Sequence, residues 1–88
     1  MNKSHPFDKS RPFDLICMGR VAVDFYADQI HSPLEHAQSF SRYLGGCAGN
    51  ISVGTSRLGL KSAMFSCVGT DDMGVFLRNQ LQFEGVDT

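Results

Sequence analysis

The stretch Gly45-Gly46-Cys47-Ala48-Gly49-Asn50 sets three glycines and a side-chain amide where the chain changes from an extended to a helical pattern. Before it, residues 39–44 alternate Phe40 and Leu44 with polar neighbours and read as an edge strand. After it, residues 48–58 carry Ile51, Thr55 and Leu58 at helical spacing, with Gly59 following as a C-terminal cap. Glycines directly ahead of a helix let the main chain come very close to whatever lies at the helix N-terminus. The spacing is not that of a P-loop, which needs G-x-x-x-x-G-K-[ST], nor of the dinucleotide fingerprint G-x-G-x-x-G. Asn50, in the first helical turn, can donate and accept at once, which suits a hydroxyl-bearing ligand better than a phosphate. A tight glycine turn capped by Asn50 accounts for the same residues, and on local chemistry it is the plainer account.

Working outward, the chain alternates strand and helix. Leu15-Ile16-Cys17-Met18 is a short apolar run closed by Gly19, the pattern of a strand buried on both faces. A second β-prone stretch, residues 21–26, is interrupted by Asp24. Residues 28–41 are polar and broken by Pro33. Residues 62–68 form a compact β-prone run closed by Gly69, and Thr70 or Asp71 can cap the helix that follows. That helix places Met73, Phe76, Leu77 and Leu81 on one face and ends at Gly85. Val86-Asp87-Thr88 reads as the lead-in to a further strand. This order predicts an α/β fold with a parallel sheet, and such a sheet needs more strands and covering helices than 88 residues hold. The expectation is a fragment of a larger domain, since a chain this short buries only about 60% of its unfolded surface. Residues 1–13, with two prolines and no periodicity, read as a flexible N-terminal arm.

Composition narrows the function classes. The chain is 42% hydrophobic and 19% charged with a net charge of −1, so it lacks the basic field that draws a nucleic-acid backbone. No apolar run approaches the roughly 20 residues that span a bilayer, and the N-terminus has no signal-peptide pattern, so a cytoplasmic setting is expected. Cys17, Cys47 and Cys67 are odd in number and widely spaced, which indicates neither a zinc site nor a disulfide framework. Cys47 beside the glycines has no base near it in sequence to make a catalytic thiol. His31 and His36 are five apart and read as surface histidines, so no metal site is expected.

Three elements together carry a family resemblance. Gly45-Gly46, Asn50, Ser52, Gly59 and Gly69 fall at the spacing of the first signature of the PfkB (ribokinase-like) carbohydrate kinases. Gly19 followed five residues later by Asp24 is similar to the family's first strand, glycine and sugar-binding carboxylate. Val68-Gly69-Thr70-Asp71-Asp72-Met73-Gly74 resembles its V-G-x-D-x-x-G turn. The likeness covers residues 14–88, which the resemblance makes the N-terminal part of a ribokinase-like fold, a parallel-sheet α/β core with a small β lid. Within the family, residues 14–24 and 43–50, with Pro33-Leu34-Glu35 and Gln38-Ser39-Phe40, look most like the bacterial branch that phosphorylates 5-dehydro-2-deoxygluconate in myo-inositol catabolism. Kinases for 2-keto-3-deoxygluconate, fructose or ribose are the neighbouring alternatives.

The resemblance implies roles residue by residue. Asp24 would accept hydrogen bonds from sugar hydroxyls, Gly45 and Gly46 would offer main-chain N–H groups without Cβ interference, and Asn50 would bind another hydroxyl. Arg20 could meet a substrate carboxylate, although an exposed strand-end arginine explains it as simply. Asp71 would cap its helix, and Gly69 and Gly74 would serve turn and packing. The family reaction transfers the γ-phosphoryl of ATP, with Mg²⁺, to a sugar hydroxyl. Its base is an aspartate in a G-x-G-D motif that this sequence lacks, so no catalytic residue and no nucleotide or metal ligand is assigned here. A homodimer through the lid strands is the partner the family suggests. A short non-catalytic protein that keeps a sugar-binding or oligomerisation surface is the competing reading.

Overall fold

The computed structural model describes residues 7–88. Strand β1 (Leu15–Met18) leads to the antiparallel pair β2 (Ala22–Ala27) and β3 (Phe40–Gly45), which a single 3-10 turn at Leu34–His36 helps connect. Helix α1 (Cys47–Arg57), strand β4 (Ser62–Phe65) and helix α2 (Asp72–Phe83) complete the order. β4 pairs in parallel with β1, Leu15 with Ser62 through Met18 with Phe65. Asp87 forms a parallel bridge with Ala63 on the other edge of β4, so the expected further strand begins there. The result is the anticipated α/β arrangement around a parallel pair, with β2–β3 standing apart as the antiparallel hairpin expected as the lid.

Both helices lie on one face of the β1–β4 pair. Cys17, Met64, Leu81 and Val86 form the buried centre, and Leu15, Val21, Leu44, Ala48 and Val53 pack around it. This corrects the expectation that β1 is buried on both faces. Alternate residues of a strand point to opposite sides, and Ile16, Met18 and Phe65 remain 58%, 78% and 66% exposed. β4 is also shorter than the β-prone run 62–68, because its partner β1 ends at Met18.

The two helices are seated differently. α1 was expected to bury Ile51, Thr55 and Leu58, yet Ile51 and Leu58 are exposed and the buried positions are Gly49 and Ser52. Small residues let the helix axis approach the strands, and Ser52 Oγ satisfies itself on Gly49 O at 2.9 Å. Thr55 Oγ1 meets Ser62 Oγ at 2.7 Å across the same contact. Helix α2 buries Leu77 and Leu81 as expected, while Met73 is exposed and Phe76 is half-buried. Asp71 is its N-cap. The two helix ends are joined by Arg57, which donates to both carboxylate oxygens of Glu84 at 2.7 and 2.5 Å.

Residues 1–6 of the predicted arm lie outside the described residues. In 7–13, Ser10 donates twice to Asp8 Oδ1, and Lys61 Nζ donates to the carbonyls of Lys9 and Arg11.

Candidate functional site

The chain leaves the core for the lid near Gly19 and returns at Gly45-Gly46. Each glycine of that return has its own reason. A Cβ on Gly45 would overlap the carboxyl group of Asp24, which lies across it from β2. Register explains the meeting, since Asp24 pairs with Tyr43 and Ala22 with Gly45, so Asp24 and Gly45 are diagonal neighbours on one face. Gly46 has φ +91°, and a Cβ there would come within 2.6 Å of the Arg20 carbonyl oxygen. That is the left-handed region, where glycine is favoured. A Cβ on Gly49 would press on Leu44 and Val21 at 3.1 Å each. The close approaches allowed by these glycines are therefore made first by the chain itself.

Asp24 is half-buried, and among the described residues no hydrogen-bond donor or cation reaches its carboxylate. Gly46 is the N-cap residue of α1 and provides no side-chain cap; its carbonyl accepts from Asn50 N at 2.9 Å. Asp24, Gly45, Gly46 and the Arg20 main chain thus meet at one corner, and the Arg20 side chain is exposed. Asn50 stands one helical turn further on. It is exposed and lines a cleft of about 570 Å³ between β3, α1 and α2, with Arg42, Gln80 and the Arg57–Glu84 pair among its neighbours. The turn at residues 69–74 is a separate feature. There Asp71 Oδ1 accepts from Gly74 N at 2.9 Å, and Gly74 has no room for a Cβ because the Gly69 carbonyl lies against it.

Two groups near the corner were not singled out from sequence. Tyr26 and Tyr43 share the Asp24 face of the lid, their rings 5.4 Å apart and inclined at 60°. The period-two placement of Asp24 and Tyr26 against Ser41 and Tyr43 was the available signal. On the opposite face Arg42 stacks 4.5 Å above the ring of Phe76, a contact between distant segments with no local signature. Among the described residues no three His, Cys, Asp or Glu side chains gather as a metal site, and no helix is long and apolar enough to cross a membrane.

The model of the pfkB family carbohydrate kinases matches residues 13–88. The chain belongs to that family. A 5-dehydro-2-deoxygluconokinase of Clostridium tetani is 47% identical over 81 residues, covering 92% of this chain and 24% of that protein. A crystal structure of a PfkB protein from Polaromonas sp. JS666 superposes with a TM-score of 0.79 at 37% identity, over 86% of this chain and 25% of that one. An uncharacterized sugar kinase from Pyrococcus horikoshii, solved in complex with ATP, matches at a TM-score of 0.78 and 35% identity, over 84% and 24%. This PfkB chain spans about a quarter of the length of the relatives it matches.

Proposed function

We propose that residues 14–88 are the N-terminal part of an ATP-dependent PfkB sugar kinase and form one side of its sugar site. The observation that carries this reading is the Asp24 carboxylate, laid against glycine main chain and free of any protein donor among the described residues. An ionised carboxylate only accepts, so two neighbouring sugar hydroxyls are its natural partners. The Gly45–Gly46 main chain lines the same corner, and Asn50 follows on the helix that starts there. Arg20, exposed beside the same corner, is the residue of this segment that we assign to a carboxylate on a sugar acid.

The substrate best supported is 5-dehydro-2-deoxygluconate, because relatives named for that activity align over nine-tenths of the chain. The chemistry is transfer of the ATP γ-phosphoryl to a sugar hydroxyl in the cytoplasm. The residues present do not fit the nucleotide or its Mg²⁺, since the sequence has neither a G-x-G-D run nor a P-loop. Those groups and the base belong, on this reading, to residues outside the 88, and the segment contributes sugar binding alone.

The test is to extend the coding sequence past Thr88 and assay its product with ATP. Phosphorylation of 5-dehydro-2-deoxygluconate in preference to 2-keto-3-deoxygluconate, fructose and ribose is expected, with loss of sugar saturation in Asp24→Asn. A stop codon directly after Thr88, or an extended product without ATP-dependent activity on any of the four, would sink the reading.

A further inference from the structure

The lid hairpin has two unlike faces. Val23, Phe25, Phe40, Arg42 and Leu44 project from one, where Leu44 packs on the core and Arg42 covers Phe76. Ala22, Asp24, Tyr26, Ser41, Tyr43 and Gly45 project from the other, as the register of the pair requires. On that second face the two tyrosines meet edge to face and stay 58% and 53% exposed. An edge-to-face pair fixes one ring by the other and leaves ring surface open. Beside them the surface steps down to Ala22 and Gly45, where the Asp24 carboxylate lies. The face is thus an aromatic wall meeting a carboxylate over bare main chain.

We propose that Tyr43, braced by Tyr26, is a platform for the C–H face of the carbohydrate whose hydroxyls Asp24 holds. This rests on the sugar-site reading above and deepens it by naming a second recognition element. A carbohydrate presents hydroxyls along its edge and patches of C–H bonds on its sides. A carboxylate can take only the first, and an exposed aromatic ring suits the second. Tyr43 stands directly opposite Asp24 in the ladder, so one ligand can touch both. A hydroxyl turned onto the ring instead would lose water without gaining a partner, which is unfavourable. The platform therefore discriminates by the side of the carbohydrate presented to the lid.

The sequence contains two tyrosines and no tryptophan, so the intrinsic emission of the chain reports this face alone. The experiment titrates the 88-residue chain with 5-dehydro-2-deoxygluconate and with D-fructose, following tyrosine emission and, separately, the backbone amide shifts of Asp24 and Gly45. Expected are a saturable emission change that tracks the amide shifts, a roughly 3- to 10-fold weaker affinity in Tyr43→Leu, and near-normal affinity in Tyr43→Phe. Amide shifts with unchanged emission and undiminished Tyr43→Leu affinity would overturn the platform and leave the Asp24 site standing. No amide shifts with either sugar would overturn the platform as a property of these 88 residues, while the sugar-site reading is decided by the extended product. Emission that depends on protein concentration without sugar would overturn the platform in favour of a second copy covering the tyrosines. The wild-type emission readout needs no substitution, so a misfolded variant does not blunt the test.

Discussion

The carboxylate of Asp24 occupies the space that a side chain at Gly45 would need. Two residues 21 positions apart in sequence are thereby linked sterically, and the link has a direction. Gly45 is not in the left-handed region, and the atoms a Cβ would strike are the end of a side chain that can rotate away.

Gly45→Ala should therefore fold nearly as well as wild type, within about 1 kcal/mol, while pushing Asp24 off its position. Sugar affinity should fall as far as it does in Asp24→Asn. Chemical denaturation with a parallel amide-shift titration separates the two effects. A Gly45→Ala chain that binds sugar normally would show that the position of Asp24 is irrelevant.

Gly46→Ala should behave in the opposite way. Its φ of +91° and the Arg20 carbonyl 2.6 Å from a Cβ leave only backbone to yield, and destabilisation of about 1–3 kcal/mol is expected. Gly74→Ala meets the Gly69 carbonyl and should be at least as damaging. Asp71→Ala removes only the bond to Gly74 N and should cost about 1 kcal/mol. Urea midpoints for the three variants give the ranking, and an Asp71→Ala loss larger than both glycine losses would contradict it.

Acidification should loosen the junction between the helices. The Arg57 hydrogen bond holds the Glu84 carboxyl below its ordinary value of 4.5, with burial opposing and the Arg57 charge adding to the effect. A carboxyl lowered on folding stabilises the fold above its unfolded value and loses that contribution as pH falls through the folded one. The stability difference between wild type and Glu84→Gln should be full at neutral pH and shrink below about pH 4.5. Urea titrations across that range measure it, and a difference independent of pH would show that the ion pair contributes nothing.

Thiol labelling should divide the cysteines two to one. Cys47 and Cys67 are exposed, whereas Cys17 is buried and its thiol is pushed up by desolvation. Reaction needs an accessible thiolate. Two groups should label quickly and the third only as the core opens, so its rate follows denaturant. Fast labelling of all three in the native chain would mean that the Cys17–Met64 contact does not persist.

Much of this arrangement was legible from residue types. Asp71 before an amphipathic run marked the start of α2, and Gly85 marked its end, because capping is decided within a few residues. The order of strands and helices followed from period changes along the chain. The seating of α1 did not follow, since its face was chosen by the apolar residues Ile51 and Leu58. Close approach was decided instead by the absence of bulk at Gly49 and Ser52. From sequence the glycine run 45–50 suits a tight turn and a ligand corner alike, and the structure adds that Cβ atoms at Gly45, Gly46 and Gly49 would meet Asp24, Arg20, Val21 and Leu44. Those contacts join β2, β3 and α1, and only strand register brings them together. The tyrosine face depends on the same register, which sets Tyr43 opposite Asp24 across a polar connection that Pro33 breaks and that has no period of its own.

The uncovered side of β1 and β4 bears on how the isolated chain is to be assayed. Ile16, Met18 and Phe65 lie in the open with the helices all on the other side. A dye that brightens on apolar surface will therefore glow in the presence of the native chain. Such a signal is ordinarily taken as the mark of a molten state. Here a bright baseline is the signature of the ordered fold, and loss of near-ultraviolet tyrosine dichroism is the sounder sign of disorder.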